Sequence, residues 1–85
     1  MTAHPNPLAR RAGILCNDIA FQRYAAMRSG QPGQQFDQAQ TADYLRTVCG
    51  VHSRRNLDTD PIAARVFDAL RTEFDAWAGR IAPQR

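Results

Sequence analysis

The sequence predicts an all-α fold, a small irregular or orthogonal bundle of about four helices plus a one-turn helix. Three observations predict it. Residues Ile62, Val66, Phe67, Leu70, Phe74, Trp77 and Ile81 fall within about 140° of arc when wound at helical pitch. No segment alternates apolar and polar residues at the strand period. Between Tyr44 and Pro61, a helix end, a short arginine-bearing turn and a helix start follow one another within eighteen residues.

Each element has its own local cause. Residues 1–7 hold two prolines and no periodicity, so they read as a flexible lead-in, with Pro7 suited to the first turn of a helix. Leu8, Ala12, Leu15 and Ile19 then share one face. Phe21, Tyr24, Ala25 and, at the margin, Met27 are out of phase with that face. Asn17 and Asp18 sit at the phase shift, and both are good N-caps. The expectation is a first helix near 8–16 and a second near 18–28, with one bent helix as the alternative. Gly13 weakens the first helix by about 1 kcal/mol relative to alanine.

Ser29–Gln35 is a loop, because two glycines and a proline oppose regular structure and glutamine adds little packing. A third helix starts near Asp37 or Thr41 and ends at Cys49, with Ala42, Leu45, Val48 and Cys49 as its stripe and Tyr44 at the edge. Gly50 suits the left-handed position that ends many helices, and Val51 can fold back on the last turn. Ser53 caps a single turn, Arg54 to Leu57. Asp60 and Pro61 then open the fourth helix, with Arg65, Asp68, Arg71 and Asp75 opposite its apolar stripe. Residues 8–82 form one helical domain, and Pro83 marks a frayed end over 83–85.

With 85 residues the chain holds one domain at most, and a domain this small buries only about 60–65% of its unfolded surface. No apolar run is long enough for a transmembrane helix, and the first residues lack the pattern of a signal peptide, so the expected compartment is the cytoplasm. Cys16 and Cys49 each adjoin apolar helix positions and read as small buried thiols. With His4 and His52 they make no metal template. No cofactor motif is present, since Gly30–Gly33 contains a proline and lacks the Gly-Lys-Ser/Thr that closes a phosphate loop. Cys49 and His52 could form a thiolate and base, but Cys49 faces the core and Gly50 turns the chain between them. Asp58 and Asp60 read as capping acids rather than a cation site. The sequence therefore points to a protein that is not an enzyme.

The net charge is +3, and all eleven basic residues are arginine. A GC-rich genome accounts for that bias; selection for forked donors that grip carboxylates or phosphates is the sharper reading. Residues 1–36 carry Arg10, Arg11, Arg23 and Arg28 against Asp18, a balance of +3. The corner 44–61 resembles a helix-turn-helix unit, which reads DNA with its second helix. It departs from that pattern in three places. Arg46 stands where a small residue is preferred, Asn56 where an apolar one is expected, and Asp58-Thr59-Asp60-Pro61 stops the second helix at once. Arg54 and Arg55 can instead pair with Asp43, Asp58 or Asp60, contributing about 0–1 kcal/mol per exposed pair.

The stretches Leu15–Tyr24, Cys49–Pro61 and Phe67–Trp77 together resemble small helical proteins encoded by bacteriophages and prophages of GC-rich bacteria. The resemblance covers most of the chain beyond residue 8. Similar sequences often have proline where Ile19 stands, which would sharpen the break after Asn17. The resemblance implies a mobile-element context and assigns no catalytic residue. Small phage proteins of this kind bind host or phage machinery for replication, recombination or defence; anti-CRISPR proteins are one such group, alike in size rather than sequence. The expected partner is a protein of a nucleic-acid-processing complex, with direct DNA or RNA phosphate contact by a degenerate helix-turn-helix as the alternative. The residues expected to make contact are Arg10, Arg11, Arg46, His52, Arg54 and Arg55, because arginine is enriched at energetic hot spots.

Overall fold

A computed structural model describes residues 8–79. The lead-in over 1–7, Pro7, His4, Ile81 and the frayed end over 83–85 lie outside the described residues. Within them the chain forms α1 (Leu8–Cys16), α2 (Ile19–Arg28), α3 (Gln38–Cys49), a 3-10 helix (Arg54–Asp58) and α4 (Pro61–Trp77). It is an all-helical bundle with no strand among the described residues. The first two helices are separate, not one bent helix.

Local hydrogen bonds explain most boundaries. Asp18 accepts from the Ala20 N–H at 2.9 Å and so caps α2. Asp37, rather than Thr41, caps α3. Its carboxylate accepts from the Gln40 N–H at 2.7 Å while the Gln40 side chain accepts from the Asp37 N–H at 3.0 Å, a reciprocal box. Gly50 closes α3 with φ 71°. The Val51 N–H reaches back to the Arg46 carbonyl at 3.0 Å, and the Gly50 N–H to Thr47 at 3.2 Å. Ser53 and Asn56 form a second reciprocal box at the 3-10 helix. Asp60 caps α4 through Ile62 and Ala63, with Pro61 at the first position.

Burial follows the helical periodicity, with four departures. Phe21, Leu45, Leu57, Phe67 and Phe74 are fully buried, and Phe21 meets Phe74 edge-on at 5.1 Å. Such aromatic pairs contribute about 0.5–1.5 kcal/mol beyond their buried area. Ile62, expected in the α4 stripe, is 74% exposed, and Ala63 is buried in its place. The buried positions Leu70, Ala63, Phe74 and Phe67 span only about 60° of the helix, and Ile62 lies outside that span and meets water. Val48 stands at the edge of the α3 stripe, whereas Trp77 lies within the α4 stripe but at the last turn of its helix. Ile19 is exposed too, because the chain turns at Asn17–Asp18 and the face shared with Leu8, Ala12 and Leu15 ends there.

One buried polar side chain organises the α1–α2 junction. The Gln22 amide donates to the Cys16 carbonyl at 2.9 Å and accepts from the Gln35 amide at 2.9 Å. The Phe36 N–H reaches the Gln22 carbonyl at 3.3 Å. The 29–37 loop, which reads as free of packing in the sequence, is therefore tied to α2 at its far end. No helix among the described residues is long and apolar enough to cross a membrane.

Candidate interaction surface

The corner from Gly50 to Pro61 packs directly against α1 and α4. Its two aspartates do different work. Asp60 serves its own helix, as above. Asp58 serves a helix fifty residues away: its carboxylate accepts from the Leu8 N–H at 2.8 Å and the Ala9 N–H at 3.2 Å. The negative charge thus sits on the open N-terminus of α1, where the helix dipole favours it. Pairing of Arg54 or Arg55 with Asp43, Asp58 or Asp60 is not what the structure has. The ion pairs among the described residues are Arg46–Asp43 at 3.5 Å and Arg71–Asp68 at 3.9 Å, each within one turn of a helix.

The six candidate contact residues fall into three groups. Arg54 and Arg46 approach the core from the 3-10 helix and α3 and both act on the Cys16 thiol. Burial pushes that thiol up, and Arg54, with Arg46 adding less, opposes the shift without cancelling it. Arg10, Arg55 and His52 are exposed on α1 and the corner. Arg11 turns toward a different place, a cleft of about 430 Å³ between α1 and α4 that it shares with Ile14, Arg71 and Phe74. Arg11 thus lines a cleft with residues of α4, while Arg54 and Arg55 are carried on the corner.

The thiol chemistry is unfavourable. Cys49 is buried, and burial pushes its thiol up to about 11, so almost none is thiolate near neutrality. His52 is exposed beyond the Gly50 turn. Both cysteines are free thiols. No group of three His, Cys, Asp or Glu side chains able to hold a metal is found among the described residues. The helix-turn-helix reading also fails on geometry, since the second helix is a five-residue 3-10 helix whose Leu57 is buried. It is too short to present several side chains along a groove.

A second surface is not legible from the sequence. An open groove of about 570 Å³ lies between α2, the 29–37 loop and the end of α4, lined by Arg23, Met27, Gly33, Gln34, Gln35 and Trp77. The apolar periodicity of α4 assigns Trp77 to the core, yet it is 47% exposed. The available signal was its position at the last turn of α4, where few elements remain to cover it. No known protein family, curated protein or solved structure matches this chain.

Proposed function

We propose that this protein is a non-enzymatic binding protein of a phage or prophage that blocks or modulates a nucleic-acid-processing complex, and that it docks through the α1–corner surface. One observation carries the reading. Asp58 and Asp60 are committed to helix N-termini, so Arg10, Arg54 and Arg55 have no carboxylate partner among the described residues. Arginine forks held on a capped corner suit an acidic protein face, which they can grip bidentately. Arg46, in the last turn of α3, and His52, on the corner, complete the proposed contact set.

The test is capture of the partner from host extract, identified by mass spectrometry, with wild type and with Arg10, Arg11, Arg54 and Arg55 reversed to Glu. Binding is expected to vanish while circular dichroism stays helical. The double reversal of exposed Arg10 and Arg55 guards against misfolding of the fourfold variant. Partner binding that survives both reversals removes the assignment. Direct contact with nucleic-acid phosphates is the second reading, favoured by the same arginines, which have no carboxylate partner among the described residues. It requires a gel shift at low salt that weakens steeply as salt rises.

A further inference from the structure

The groove at the end of α4 is a different surface from the arginine corner, and its lining has a consistent chemistry. Phe67 and Phe74 of the same helix are fully buried, while nearly half of Trp77 is open. The indole is nevertheless held firmly. Its ring lies 5.3 Å from Tyr24 and 6.1 Å from Phe74, inclined at only 28° to the latter. A fixed aromatic surface of this kind can receive a flat partner with little loss of side-chain freedom.

Two further features converge on the same groove. Arg23 and Met27 stand one turn apart on α2, and Arg23 makes no ion pair among the described residues. Among the described residues no acidic side chain lines the groove to oppose an anion. Gln35 is held by Gln22, which fixes the rim of the loop. Gln34 beside it brings an amide that both donates and accepts. The backbone at Gly33 is open, with nothing within 4 Å of where a Cβ would stand. The volume falls within the range of about 300–1,000 Å³ usual for small-molecule sites.

We infer that this groove binds a nucleotide, its base stacked on Trp77, its phosphate on Arg23 and its base edge toward Gln34. A peptide anchor would call for an enclosed apolar pocket, whereas this open groove is lined by a half-exposed indole and an arginine. The ligand chemistry, a base with a phosphate, comes either from a free nucleotide or from an unpaired residue of a single strand. The inference does not rest on the corner.

Trp77 is the only tryptophan, so its emission reports from the groove itself. Titration with adenosine 5′-monophosphate and with a short oligothymidylate is expected to quench that emission saturably. Arg23→Ala should weaken binding by about tenfold or more with unchanged helicity, and Trp77→Ala should do the same to a labelled oligonucleotide followed by anisotropy. Trp77→Phe, which keeps a ring, should retain that binding. Tighter binding of the oligonucleotide identifies a single strand; equal binding identifies a free nucleotide. Reversal of Arg54 and Arg55 should leave the quench unchanged, which separates this result from the fate of the corner. No quench by either probe at millimolar concentration, or a quench that Arg23→Ala leaves intact, overturns the inference.

Discussion

Replacing Asp58 by alanine tests whether a residue of the corner holds α1 in place. Two bonds are removed, to the Leu8 N–H at 2.8 Å and the Ala9 N–H at 3.2 Å. Both lie at the surface, so water can reach the freed donors and no large desolvation penalty follows. What is lost is a cap, about 1 kcal/mol, and a favourable charge at a helix N-terminus, about 0.3–1 kcal/mol. The expected destabilisation is about 1.5 kcal/mol, which for a domain of this size lowers Tm by about 6–12 °C. Asp58→Asn keeps an acceptor and loses only the charge, so it should fall between wild type and alanine. Thermal unfolding by circular dichroism gives the magnitude. Amide hydrogen exchange gives the location: faster exchange should appear in the first turns of α1 and not in α4. A Tm within about 1 °C of wild type, or loosening confined to the 3-10 helix, would refute the reasoning.

Two glycines with equally open surroundings should respond with opposite signs. Neither Gly13 nor Gly50 has an atom within 4 Å of an added Cβ, but only Gly50 has a positive φ, at 71°. Gly13→Ala should stabilise by about 0.5–1 kcal/mol through the helix, and Gly50→Ala should destabilise by about 1–2 kcal/mol; urea unfolding of both variants checks the pair. The buried Cys49 thiol should make stability fall in alkali. Its folded value, about 11, lies above its ordinary 9.0, so the unfolded chain releases the proton first. Its contribution is complete below pH 9 and lost as pH rises toward 11, with Cys16, Tyr24 and Tyr44 shifted upward by burial as well. Denaturant melts between pH 8 and 11 should show a shallower decline for Cys49→Ala than for wild type.

The legible part of the site was its residue types, and the illegible part was their partners. Arg54 and Arg55 are conspicuous beside two aspartates, and proximity along the chain suggests pairing. Capping competes for those same carboxylates and takes both of them. Trp77 and Arg23 are more than fifty positions apart, and no spacing rule links them. They line one groove because Tyr24 packs on Trp77 and so brings the Arg23–Met27 turn beside it.

The sequence by itself determined the helices and most of their ends. Asp18, Gly50, Ser53, Asp60 and Pro61 act on backbone within about one helical turn of themselves, so their effect is written in the local order of residues. Tertiary structure alone decided which helix ends and which faces meet. Asp58 caps α1 across fifty residues, and Ala63 is buried where Ile62 was expected. Both depend on how closely the 3-10 helix, α1 and α4 approach one another. That approach is set by the packing of all the helices at once and has no signature in any one of them.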